Sequence, residues 1–149
     1  MRLDVQVAGN RVTLAGRIDD TASLAELPGR VPAGEIVIDT EGVTFVNSIG
    51  MREWIRLLRA LRDSGRKVRL ERVADVLMTQ MNLIAELAGA VAISSFHAQY
   101  VCPACGAETQ PVVEVTGSLT VMPALPCPEC GSAMELGDFP ERYLTIFKA

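Results

Sequence analysis

Polar and apolar residues alternate with a period of two over residues 2–7 (RLDVQV) and again from Arg11 to Leu14. That is the pattern of a strand with one buried face. Gly9-Asn10 between them supplies a tight turn, so the pattern predicts a β-hairpin. Asp19-Asp20-Thr21 offers a cap for a short helix over Ala22 to Leu27, which Pro28-Gly29 ends. Pro32-Ala33-Gly34 leads into an apolar run, Ile36-Val37-Ile38, that reads as a buried strand. Asp39-Thr40-Glu41-Gly42 reads as a turn, followed by a short apolar segment from Val43 to Val46. After Asn47-Ser48 the period changes. Met51, Trp54, Ile55, Leu58 and Leu61 recur at spacings of three and four and predict a helix from about Ser48 to Ser64. That apolar stripe, Trp54 included, is expected to pack on a sheet. Gly65 suits the helix C-terminus. Lys67 to Leu70 predicts a strand. Ala74 to Leu87 predicts one helix or two short ones, with Val76, Leu77, Met81, Ile84 and Leu87 in the core, and Gly89 closes it. Ala90 to Phe96 predicts a last strand. Strands separated by helices imply an α/β fold whose sheet holds parallel pairs joined by right-handed crossovers.

Beyond residue 97 cysteines organise the chain. CPACG at 102–106 and CPECG at 127–131 are near-copies, a C-x2-C…C-x2-C pattern. Two residues between thiolates let one tight turn present both sulfurs to one ion. The glycine after each second cysteine suits a corner with positive φ. The 21 residues between Cys105 and Cys127 suffice for a hairpin, with Pro111 to Val115 and Ser118 to Met122 flanking Thr116-Gly117. Tyr143 to Phe147 would add a third strand. This stretch resembles a zinc ribbon. The resemblance implies a closed, structural Zn2+ site on Cys102, Cys105, Cys127 and Cys130; a redox disulfide pair and an iron–sulfur centre are the alternatives. His97, the one histidine, is expected to be structural. A module this small buries little core, so the metal is expected to supply much of its folding free energy. The expected division is residues 1–97 and 98–149. The link from His97 to Val101 carries no Gly or Pro, which predicts little hinge between the two.

Asn47-Ser48 is helix-start chemistry, because either side chain can accept a bond from a free N–H of the first turn. Such helix ends favour anions. A serine hydroxyl there is well placed to carry a phosphoryl group. Strand, then VTFVNSIG, then a helix rich in Leu and Arg resembles the STAS domain (sulfate transporter and anti-sigma factor antagonist). Gly65-Arg66-Lys67-Val68-Arg69-Leu70, a glycine turn into a strand, matches as well, and the resemblance spans roughly residues 2 to 96. The bacterial antagonists carry Asp-Ser-x-Gly here, and their partner kinase, which is also the anti-sigma factor, phosphorylates the serine. Ser48 stands at the phosphorylated serine, Ile49 at the variable position and Gly50 at the glycine. Asn47 stands where the family has Asp, one negative charge fewer. The resemblance implies a mixed β-sheet with packed helices, a phosphorylation site at Ser48, and a partner surface of Asn47, Ser48, Ile49, Gly50, Arg52 and Arg56.

Charge narrows the choice of partner. The net charge is −4. Residues 1–96 balance 12 Lys and Arg against 12 Asp and Glu, whereas residues 97–149 set Arg142 and Lys148 against six acids. An acidic ribbon has few cations for phosphates, and its candidate stacking aromatics are few: Tyr100, Phe139, Tyr143 and Phe147. Nucleic acid is therefore the less favoured partner. No catalytic Ser/His/Asp set and no glycine-rich phosphate loop is present, and Asp19-Asp20 is more simply a cap, so no enzyme is expected. The N-terminus has charges where a signal peptide needs an apolar stretch, and no apolar run is long enough to span a membrane. The expectation is a cytoplasmic protein, in a compartment where paired cysteines bind metals. The expected function is non-enzymatic signalling. The first part binds an anti-sigma factor, serine kinase or other signalling protein, and the ribbon adds a second contact or homodimerisation surface. A non-phosphorylated STAS scaffold within a larger assembly is the alternative.

Overall fold

The structure is a computed structural model, and it describes residues 3–21, 24–78, 91–115, 119 and 121–144. The first sheet has five strands in the order β1-β2-β3-β4-β5. These are β1 (Asp4–Ala8), β2 (Arg11–Ile18), β3 (Glu35–Val46), β4 (Lys67–Glu71) and β5 (Val91–Ile93). β1 and β2 form the expected antiparallel hairpin around Gly9-Asn10, and the other pairs are parallel. The chain is thus mixed α/β. Helix α1 (Ser48–Asp63) returns the chain from β3 to β4. Its face of Met51, Trp54, Leu57, Leu58 and Leu61 is buried, while Ile55 is half-buried. Each such side chain contributes roughly 1.5–3 kcal/mol of burial. They meet Val12, Leu14, Ile36, Ile38, Val68 and Leu70 in one core.

The turn expected at residues 39–42 does not form. β3 runs unbroken for 12 residues. Asp39 and Thr40 are buried, and their side chains find partners. Asp39 meets Arg11 and Arg72 and takes the Glu41 N–H, and Thr40 Oγ1 accepts from the Ala74 N–H. β3 absorbs its extra residues as two register shifts against β2. The short helix expected before Pro28 is replaced by a 3-10 turn, Leu27–Arg30, with the proline in its first turn; residues 22 and 23 lie outside the described residues. The helix expected from Ala74 is present as α2 (Asp75–Met78), with Leu77 and Met78 buried and Val76 half-buried. Met81, Ile84, Leu87 and Gly89 lie outside the described residues.

The single strand expected from Ala90 to Phe96 is two strands in different sheets. Ser94 parts them, its N–H bonded to Leu70 O, and Ser95 Oγ takes the Arg72 N–H. The second strand, β6 (Ser95–His97), pairs with β9 (Val112–Glu114). β9 is the first arm of the expected ribbon hairpin, and its partner is therefore β6. Of the second arm, residues 118 and 120 lie outside the described residues, as do Thr116 and Gly117 at the turn. A four-stranded sheet, β10-β11-β7-β8, completes the chain: β7 (Tyr100–Val101), β8 (Glu108–Thr109), β10 (Leu125–Pro126) and β11 (Ala133–Leu136). Tyr143 and Leu144 belong to a helical turn, α3 (Glu141–Leu144), and not to a third ribbon strand. Pro140 just before Glu141 favours a helix start, and its carbonyl accepts from both Tyr143 and Leu144. Residues 145–147 lie outside the described residues. Among the described residues no helix is long and apolar enough to cross a membrane.

Packing ties the ribbon segment to the first sheet. The Tyr143 ring stacks on Phe96 at 5.9 Å. Its hydroxyl donates to Asp75 at 2.6 Å and accepts the Gln99 N–H at 3.1 Å. Burial, helped by the Asp75 bond, pushes that hydroxyl's pKa up. His97 bridges the same seam, with Nδ1 2.6 Å from Gln110 O and Nε2 2.8 Å from a Glu41 carboxylate oxygen.

Candidate metal centre and the Ser48 helix start

The two cysteine knuckles are built alike. In the first, the Cys102 N–H bonds Ala107 O and the Gly106 N–H bonds Cys102 O, both at 2.8 Å. In the second, Cys127 bonds Ser132 O and Gly131 bonds Cys127 O, again at 2.8 Å. Each tight turn closes with its glycine at positive φ, +77° for Gly106 and +79° for Gly131. A side chain there would be strained, which accounts for the repeated Cys-Gly. The four sulfurs lie within 4.8 Å of one another. Cys102 and Cys130 are 3.5 Å apart, Cys105 and Cys127 3.7 Å. A tetrahedron of sulfurs about 2.3 Å from a central ion has edges of about 3.8 Å. The thiols are free, with Cys102 and Cys127 buried and Cys105 and Cys130 exposed. The set therefore fits one metal ion. The sulfurs also bond one another, which links their protonation. The Ser132 N–H and hydroxyl, with help from Cys102, bring the Cys130 thiol down to about 6. At Cys105 the Ala107 N–H pulls the other way, but bonds from Cys102 and the other sulfurs, with burial, push it up to about 12. A dication replacing those protons would satisfy all four sulfurs together. His97 is not among the clustered ligands; its ring is committed to Gln110 and Glu41.

The second site is the start of α1. Asn47 is its N-cap, in extended backbone, and its Oδ1 accepts the Gly50 N–H at 2.7 Å. Its carbonyl accepts the first intrahelical bond, from the Met51 N–H. Replacing the cap, Asn47→Ala, is expected to cost about 1 kcal/mol, read as a lower urea midpoint with an unchanged slope. Ser48, the first residue of the helix, is exposed, and Ile49 beside it is 47% exposed. Gly50 is buried against the end of β2. No acid sits in the first turn to repel an added anion. Arg52 is exposed one turn on. Arg56 pairs with Glu53 at 3.0 Å, an exposed contact that stabilises little. Arg66 donates to the carbonyls of Val31 and Pro32 and ties a loop to the helix end.

Sequence reasoning missed a charged cluster where β2, β3 and β4 meet. Arg11 reaches Glu71 at 2.8 Å and Asp39 at 3.2 Å, and Arg72 pairs with Asp39 and, at 3.6 Å, Glu41. The Arg11 bond holds the Glu71 carboxyl below its ordinary range. The one signal in the sequence was the unusually polar run Asp39-Thr40-Glu41 inside an apolar context. No protein-family model matches the chain, and no curated protein matches it.

Proposed function

We propose that the chain is a non-enzymatic protein-binding module of the STAS type. It works as anti-sigma factor antagonists do, through a partner that docks around Ser48 and a phosphoryl group that releases it. The observation carrying this reading is the exposed Ser48 hydroxyl on the first turn of a capped, 16-residue helix, next to the exposed Ile49. A phosphoserine there carries a charge of about −1.5 to −2. The helix end stabilises it by roughly 0.3–1 kcal/mol, while desolvating it against a partner costs more. Phosphorylation thus disfavours docking and leaves the fold intact. Four thiolates in a closed tetrahedral set favour Zn2+, held as a structural ion beneath a second contact surface.

Incubation with the partner serine kinase and ATP is expected to add one phosphoryl group, about 80 Da by intact mass. Ser48→Ala abolishes the gain, and Ser48→Asp weakens partner capture in the unphosphorylated chain. A mass gain that survives Ser48→Ala, or capture unaffected by Ser48→Asp, removes the switch. One observation favours a second reading, a constitutive scaffold: the neutral Asn47 cap stands where the antagonists carry Asp. Intact capture with no modification of Ser48 by any serine kinase selects it.

A further inference from the structure

The first sheet ends at β1, which pairs with β2 on one side. Among the described residues no strand pairs with its other edge. The N–H and C=O groups along such an edge are left to water or to another chain. Proteins commonly blunt an exposed edge with a lysine, a proline or a bulge. β1, with the sequence DVQVA, holds no lysine and no proline. Its ladder with β2 runs from Asp4 to Ala8 without a register shift, whereas β2 shifts twice against β3.

The two faces of β1 differ. Val5 stands opposite Leu14 and Val7 opposite Val12, and both of those β2 residues are fully buried. Residues paired across a ladder share a face, so Val5 and Val7 lie on the core side. Leu3, two residues before Val5, falls on that side as well. All three pack against the core yet are only half-buried, so the core is open at this edge. Asp4 and Gln6 lie on the other face, both exposed, with Gln6 Nε2 donating to Asp4 Oδ2 at 3.2 Å.

A two-fold axis normal to the sheet sets two copies of β1 antiparallel and keeps core face beside core face. The side chains choose the register. Centring on Asp4 sets carboxylate against carboxylate. Centring on Gln6 sets Asp4 against Ala8 and Leu3 against Gly9 of the turn. Centring on Val5 sets Leu3 against Val7, Val5 against Val5 and Asp4 against Gln6. Apolar then meets apolar on one face, and on the other each carboxylate meets an amide donor.

We propose that the chain forms a homodimer in which β1 of a second copy adds antiparallel to this edge, centred on Val5, and joins the two five-stranded sheets into one. The contact uses neither Ser48 nor the cysteines, so it goes beyond the switching reading and stands or falls separately from it. A ladder of so few residues buries less than a standard interface, and the dimer is accordingly a weak one.

The test is sedimentation velocity on the full chain with Zn2+ added, over a range of concentrations. The expected result is a monomer–dimer equilibrium with Kd on the order of 10–100 μM. Amide exchange read by NMR slows at alternate residues of β1 as concentration rises, while the amides bonded to β2 keep their rates. Gln6→Lys sets an ammonium against Asp4 of the second copy and tightens the dimer about threefold at low salt. Gln6→Asp sets acid against acid and weakens it about tenfold. Both changes lie on the exposed face; if Gln6→Asp also lowers Tm, Gln6→Lys and the exchange rates decide. Ser48→Asp dimerises as the native chain does. A chain that stays monomeric up to roughly 1 mM, a dimer that Gln6→Lys weakens, or β1 amides indifferent to concentration overturns the proposal.

Discussion

Stripping the metal with a strong chelator is expected to unfold the ribbon and leave the five-stranded sheet standing. The four strands β7, β8, β10 and β11 are two to four residues long. Strands that short do not hold together by their own ladders. What lies between them is the sulfur cluster, with Cys102 and Cys127 buried in the core beside Tyr100 and Met134. A structural Zn2+ on thiolates supplies an apparent 10–16 kcal/mol, as much as the whole stability of an ordinary domain, about 5–15 kcal/mol. Chelation should therefore release one equivalent of metal. It should also change the near-ultraviolet signals of Tyr100 and Tyr143 and open residues 98–144 to protease. Amides of β2, β3 and β4 should keep their protection, because these strands pair with one another and α1 leads from β3 to β4. Cys102→Ser should reproduce the effect without chelator. Unchanged proteolysis after complete metal loss would show that the ribbon folds on packing alone.

How much of this was legible beforehand depends on the range of the interaction. The hairpin, α1 and β4 were readable because their signals are local: period two, period 3.6, a capping residue and a glycine stop. The cluster of four cysteines was readable because C-x2-C spacing and the following glycine are local requirements of one tight turn. The continuous β3 was not, since Asp39 and Thr40 resemble a turn until Arg11, Arg72 and Ala74 arrive from 28 to 34 residues away. The break at Ser94 was hidden for the same reason; β6 leaves the first sheet for a partner, β9, that lies beyond the first knuckle. Tyr143 alternated like a strand residue, but the Asp75 carboxylate and the Phe96 ring hold it in a helical turn. Local pattern weakly constrains such residues, and tertiary contacts decide. At the Ser48 site the sequence supplied the cap and the exposed serine. It gave no hint that Gly50 serves packing.

That packing makes Gly50→Ala the most damaging single substitution expected in the first sheet. A Cβ built on Gly50 falls 1.8 Å from Ile18 O, 2.3 Å from Ile18 C and 2.9 Å from Asp19 N. All three are backbone atoms, so no rotamer change relieves the overlap. The start of α1 must lift off the end of β2, breaking the bond from the Asn47 N–H to Ile18 O and pulling Met51 and Trp54 with it. Overpacking of this kind costs roughly 3 kcal/mol or more, which for a chain of this size lowers Tm by about 6–12 °C. Gly29→Ala is the control. Its Cβ meets nothing within 4 Å, its φ is not positive, and the change should be neutral or stabilise by up to about 1 kcal/mol. Gly50→Ala should also weaken partner capture at temperatures where the chain remains folded, because it moves Ser48 and Ile49 with the helix start. A Tm for Gly50→Ala within a degree or so of the native value would mean that the helix rests on β2 less closely than these distances require. The glycine of this motif would then owe its place to the partner.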